Sequence, residues 1–391
     1  MRGWRRALLT AGVTTLYSCA LVSRLIAAQD SAAPPTSLSK ALPPDASGAQ
    51  IFERACATCH GLDGKGAAQT VVGFNLPLPN GHTFPDFTDC STNTVESLTD
   101  WVAVAERGGP IRGLDRHMPS FGDALTQEQL QATVKHLWRF CSNPAWPRGD
   151  LNLPRAFFTE KAFPENETVW TTGITGSGAR AVENQLVYEH RLGARGQYEV
   201  TVPFGAVQGG AGGAWNRGLG DVEFALRRAF YASLDRGSIF AAGGAVTLPT
   251  GKESEGLGNG YTIYEPFAMW DQIVGQNGFM ELQGGYGIPS DHSRGTDEGF
   301  VRTALGYTIA GDHGAGRQWS PMTEIIAAMP KGGNVEWDVV PQIQVSLSKL
   351  QHILLDVGVR IPLNQRQDRK PQFLTYFLWD WFDGGLTQFW K

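Results

Sequence analysis

Two periodicities divide the chain. Before residue 166 apolar positions recur at helical spacing: Ala49, Phe52 and Ala55 share one face of a helix that Asp45 can cap, and Leu130, Val134 and Leu137 share a face within residues 126–140. Thr126 is the expected cap of the second helix, with Gln129 three residues on. From about Glu167 the period changes to two. Val335, Trp337, Val339, Ile343 and Val345 alternate with Glu336, Asp338, Gln342, Gln344 and Ser346, and Ile353, Leu355, Val357, Val359 and Ile361 alternate with Asp356, Gly358 and Arg360. About twelve such segments, each roughly ten residues long and parted by Gly, Asp, Asn and Pro, run from residue 167 to 383. The even number, the length and the tryptophans at segment ends (Trp170, Trp270, Trp319, Trp379, Trp381) predict an antiparallel transmembrane β-barrel of about 12 strands behind an all-α domain. Glu199, Glu223, Glu281 and Glu336 fall on the polar faces and are expected to line the lumen, as are Arg302, Asp338 and Arg360. A soluble sandwich also alternates, but with shorter and more varied strands.

Composition narrows the partners. The 391 residues carry a formal charge of −5 with only 18% charged residues, so there is no basic excess to neutralise phosphates and nucleic acid is not expected as a partner. Residues 1–28 open with Arg2, Arg5 and Arg6, continue through an apolar stretch and end at Ala27-Ala28, the pattern of a signal peptide. Residues 29–44, rich in Ala, Ser and Pro, read as a tether, and residues 45–142, 143–165 and 166–391 as helical domain, connector and barrel. Export carries the remaining cysteines into an oxidising compartment.

Two of those cysteines stand in Cys56-Ala57-Thr58-Cys59-His60. Thiols at this spacing reach the two vinyl groups of one haem, and the imidazole of the next residue falls on the iron. Zinc would need a second ligand pair, which the sequence lacks. Gly61, Gly64 and Gly66 then form a loop able to pass close to a flat ring. Met118, the only methionine between residues 29 and 165, stands before Pro119 and is the candidate sixth ligand, with His117 and His82 as competitors. In this order of motif, Gly-rich loop, Met-Pro loop and terminal helix, residues 45–142 resemble a monohaem class I cytochrome c. The resemblance implies one covalent haem c bound through Cys56 and Cys59, its iron held by His60 and Met118. The stretch from Val71 to Asp89 is an insert relative to that family, and Cys90 and Cys141 are additional. In an oxidising compartment these two form either a disulfide, worth roughly 4 kcal/mol on the loop-entropy model, or two free buried thiols.

Gly218-Leu219-Gly220-Asp221-Val222-Glu223 and Val246-Thr247-Leu248-Pro249-Thr250-Gly251-Lys252 resemble a transporter-like barrel family linked to phenol-degradation operons. Together the two halves resemble the fused cytochrome–porin proteins of extracellular electron transfer, outer-membrane iron-oxidising cytochromes among them, although the barrel of the iron oxidisers is larger. The resemblance implies an outer-membrane electron carrier, lipid around the barrel, a periplasmic redox carrier as partner and a small extracellular redox solute arriving through the lumen. Pro144, Pro147, Pro154 and Pro164 suggest a stiff, extended connector that leaves the haem domain docked at the periplasmic mouth. The rival readings are a porin or small-molecule transporter with an accessory cytochrome, and a soluble haem enzyme with a β-rich domain. Residues 166–391 carry no Ser/His/Asp order, paired-carboxylate motif or metal cluster in support of the latter.

Overall fold

A computed structural model describes residues 43–66, 84–312, 315–348 and 351–380. The expected signal peptide, most of the tether, His82 and the terminal aromatic at Phe389-Trp390 lie outside the described residues.

The first helical run comprises Gly48–Ile51, a π-helical turn Phe52–Cys56 and Ala57–His60. Its cap is Ser47 rather than Asp45: the Gln50 N–H donates to Ser47 Oγ, and the Ser47 N–H donates to Gln50 Oε1 at 2.9 Å. Ser47 wins because it alone has a glutamine three residues on to complete a capping box. Among the described residues three further α-helices follow, α1 (Cys90–Asn93), α2 (Leu98–Arg107) and α3 (Gln127–Leu137). Thr126 caps α3, with Gln129 returning the bond. Ile51, Phe52, Phe87, Val102, Leu130, Val134 and Leu137 are buried against one another and form this domain's core.

Among the described residues beyond 166, all regular structure except one short 3-10 turn is sheet. The strands are β1 (Glu167–Thr175), β2 (Ala181–Leu192), β3 (Gly196–Gln208), β4 (Trp215–Leu219), β5 (Val222–Ser233), β6 (Ser238–Leu248), β7 (Ile263–Val274), β8 (Gly278–Pro289), β9 (Glu298–Tyr307), β10 (Ile309–Asp312), β11 (Ala315–Pro330), β12 (Glu336–Ser346), β13 (Ile353–Pro362) and β14 (Gln372–Asp380). Every pairing is antiparallel, and β14 returns to β1 from Glu167↔Asp380 to Thr175↔Gln372, so the sheet is closed. β10 continues β9 along β11, which gives a circuit of twelve. β4 is one extra strand on the line of β5: Thr201 pairs Glu223 but Phe204 pairs Leu219, so an additional residue at the Gly220–Asp221 bend makes a bulge.

Burial along these strands is the inverse of a soluble fold. Leu226, Phe230 and Trp170 are more than half exposed, whereas Glu189, Glu281, Glu324 and Asp356 are completely buried on the opposite faces. A contiguous apolar exterior around a polar interior is stable only in lipid, so this is a membrane-spanning barrel. The two rims differ. Three residues join β2 to β3 and β7 to β8, whereas fourteen separate β6 from β7 and nine separate β13 from β14 at the other rim. The short-turn rim meets the helical domain: Arg195 Nε donates to the Ala145 carbonyl at 2.7 Å, and Leu234 packs on the helical core.

The connector is not a stiff spacer. Residues 143–150 stay on the helical domain, where Arg148 donates to Asn93 Oδ1 and the Trp138 carbonyl and Asp150 accepts the Leu98 N–H. Residues 151–166 then loop into the barrel and return to the same rim. Going down, Tyr376 donates to the Arg155 carbonyl at 2.6 Å. At the deepest point the Glu324 carboxylate accepts the N–H groups of Phe157, Phe158 and Thr159 and the Thr159 hydroxyl at 2.7–3.1 Å, while Arg302 donates to the Phe158 carbonyl at 3.0 Å. Coming back, Asp271 accepts the Ala162 N–H at 2.7 Å and Gln197, at the start of β3, accepts that of Glu165 at 2.6 Å. Prolines deny a chain regular structure, but its remaining N–H groups still need acceptors, and the lumen wall supplies them.

Candidate functional site

The π-helical turn inserts one residue just before the cysteine motif and ends at Cys56, a distortion that recurs at functional sites. Gly61 ends the helix at φ 73°, a backbone conformation that a side chain disfavours, and the chain leaves along the Gly-rich loop. The Met118 loop is fixed by the Gly109 N–H donating to the Met118 carbonyl at 3.0 Å and by the Met118 N–H donating to the Asp115 carbonyl at 3.2 Å.

These segments enclose a cavity of about 330 Å³ that Cys56, Cys59, His60 and Met118 all line, with Phe52, Phe87, Trp101 and Leu137 among the apolar walls. Two polar atoms of its lining residues, His60 Nδ1 and Trp101 Nε1, are buried and have no hydrogen-bond partner among the described residues. Burial pushes the His60 pKa down to about 4, which keeps the imidazole neutral and free to bind a metal near neutral pH. Burial, with the neighbouring Cys59 charge adding to it, pushes the Cys56 thiol up to about 12, and burial raises Cys59 as well. Paired thiols, a neutral imidazole, a thioether and apolar walls are the donor set and surroundings a haem requires. His117 lines the cavity too, but its Nδ1 lies 2.7 Å from Asp115 Oδ1. Cys90 and Cys141 form a disulfide, their Cα atoms 5.0 Å apart, which ties the start of α1 to the segment after α3.

The charged wall of this cavity does not stand out in sequence. Glu96, Asp100 and Arg112 line it and also a neighbouring polar cavity of about 540 Å³ at the barrel rim, which Lys161, Glu165, Glu167 and His352 share. Arg112 is buried between Glu96 at 3.0 Å and Asp100 at 2.9 Å. Burial works to raise both carboxyls. In Glu96 the Arg112 guanidinium and His352 overcome it and hold the pKa at about 2; in Asp100 burial, reinforced by the charge of Glu96, overcomes Arg112 and lifts it to about 6. Glu165, Glu167 and Glu189 also converge, with ligand oxygens within 4.8 Å, yet Arg155 lies 2.6 Å from Glu167 and Lys161 2.5 Å from Glu165. With Arg227 3.2 Å from Glu189, three cations face the three carboxylates and occupy the cluster.

Residues 43–137 match the family described as cytochrome C oxidase, cbb3-type, subunit III. No curated protein sequence matches the chain. Among solved structures it is similar to the KdgM porin at 9% identity, with 55% of this chain and 99% of that one covered and a TM-score of 0.38. It is also similar to the NanC porin at 13% identity, covering 55% and 99% with a TM-score of 0.38. An outer membrane channel from Pseudomonas putida F1 is similar at 14% identity, covering 59% and 100% with a TM-score of 0.41. Residues 43–137 thus form a helical domain that matches a cytochrome c family, ahead of a closed twelve-strand barrel, and that match implies a covalently bound haem.

Proposed function

We propose that the protein is an outer-membrane electron carrier with one haem c at the mouth of its barrel, exchanging single electrons with a periplasmic redox carrier. The observation that carries this reading is the meeting of Cys56, Cys59, His60 and Met118 around one apolar cavity, in a domain seated on the short-turn rim of the barrel. Short turns face the periplasm in outer-membrane barrels, and the long loops here are at the opposite rim.

Cys56 and Cys59 would hold the group by two thioethers, and His60 and Met118 would bind its iron. The group would supply one-electron redox chemistry there, with methionine ligation favouring a high potential. Phe52, Phe87 and Leu137 exclude water, and the Arg112 pair with Glu96 and Asp100 balances charge at the cavity edge. A small extracellular redox solute enters only the outer part of the lumen, because residues 151–166 occupy the part next to the haem domain. The same loop speaks against the rival reading of a porin with an accessory cytochrome.

The test is haem-stained fractionation of cells, followed by reduction with a membrane-impermeant donor before and after the periplasm is opened. The expected result is a stained outer-membrane band that is reduced only once the periplasm is accessible. A stained band that stays in the soluble fraction, or full reduction in intact cells, would overturn the reading.

A further inference from the structure

The geometry points to residues 151–166 as a resident plug that seals the barrel, so that the barrel passes neither ions nor small solutes and serves as a closed membrane pedestal for the haem domain. The inference rests on the reading of residues 167–380 as a membrane barrel.

Barrel size sets the need for a plug. About eight strands leave an interior that side chains fill by themselves, and about sixteen leave an open aqueous channel. Twelve strands enclose an intermediate space, and one re-entrant chain fills it here.

The loop touches the wall on nearly every side. Its backbone is received by Gln197 on β3, Asp271 on β7, Arg302 on β9, Glu324 on β11, Gln344 on β12 and Tyr376 on β14. Its charges are matched as well: Arg155 between Glu167 and Glu189, and Glu160 on Arg227 at 3.1 Å. Its apolar side chains fill the remaining gaps. Phe163 and Ala162 pack with Ala241, Phe267 and Met269, and Phe157 lies against Gly358 so closely that a Cβ there would fall 2.7 Å from its ring. Wall residues at this level, Glu189, Gln197, Glu281, Gln283, Glu324 and Tyr376, are at most 1% exposed, which no water-filled pore allows.

The experiment is planar-bilayer conductance of the full-length haem-loaded protein, with unheated gel mobility confirming a folded barrel. Wild type is compared with a variant whose residues 155–165 are replaced by Gly and Ser at equal length, and with Glu324→Ala/Asp271→Ala, which keeps the loop sequence should the first variant fold poorly. The plug predicts a silent inserted wild type and discrete current steps in the variants. Open-channel current in wild type equal to that of the variants would overturn it, as would silence in all three despite insertion. Failure of every form to insert would instead overturn the membrane reading and take the plug with it.

Discussion

His352, at the barrel rim just before β13, places its Nε2 3.0 Å from Glu96 Oε1 in the helical domain, 256 residues earlier in the chain. The same carboxylate holds the buried Arg112, so His352 links the barrel to the edge of the haem cavity. His352→Ala should cost about 1–3 kcal/mol, because a nearly buried charge-assisted bond is lost while Glu96 remains ionised. Chemical denaturation followed by haem absorbance reads this directly, and an unchanged midpoint would remove His352 from the interface.

Cys56→Ser/Cys59→Ser together should lose covalent haem attachment, since on the proposed reading the two thiols supply both thioethers, and each single change should leave one link and shift the absorbance of the reduced haem. Acid-acetone extraction checks the first and pyridine haemochrome spectra the second. Full pigment retained after extraction of the double variant would remove these cysteines from the site.

Met118→Ala should keep the haem and open its sixth position, so that the reduced protein gains affinity for carbon monoxide. Unchanged spectra and unchanged ligand binding would shift the assignment to His117, despite its contact with Asp115, or to His82.

Asp100 and Glu96 give the helical domain opposed pH dependences. The pKa of Asp100 is raised from 3.8 to about 6 in the fold, so the stability it contributes is full below the unfolded value and is lost as pH rises through about 6. That of Glu96 is depressed from 4.5 to about 2, so its contribution is present above the unfolded value and is lost as pH falls toward 2. The thermal midpoint of wild type should therefore decline between about pH 4 and pH 6, and Asp100→Asn should flatten that decline. Parallel slopes in the two proteins would refute the assignment.

Once opened by the Gly/Ser replacement, the lumen should select cations. Its strands carry Glu167, Glu189, Glu199, Asp271, Glu281, Glu324, Asp338 and Asp356 against Arg191, Arg227, Arg302 and Arg360. An acidic ring raises the local cation concentration, and the reversal potential in a salt gradient measures it. A reversal potential of the opposite sign would place these carboxylates outside the conducting path.

The parts of this molecule that could be read from sequence are those whose determinants are close in the chain. Cys56, Cys59 and His60 form one local motif, and the alternation of Trp337, Asp338 and Val339 reports two faces of a strand whatever lies beyond it. Even the helix start, read at Asp45, lies two residues on at Ser47, where Gln50 completes the capping box. What could not be read depends on distant pairings. Glu324 receives Phe157 from 167 residues away, and nothing near either residue announces the other. A proline-rich connector reads as a spacer because its binding groups are backbone N–H groups, which leave no mark in the sequence. Its charges, Arg155, Glu160, Lys161 and Glu165, are equally what a solvated linker carries, so they do not mark the insertion either.

The inserted loop enters and leaves by the same rim: Asp150 is tied to Leu98 on the helical domain, and Glu167 starts β1 beside Asp380 at the end of β14. It is therefore a fold-back rather than a thread. The order of biogenesis is then unconstrained by topology. Haem ligation and the Cys90–Cys141 bond can be completed on a finished helical domain before the last strand closes on the first, or afterwards, and the loop can slip in at either stage without undoing a single strand pairing.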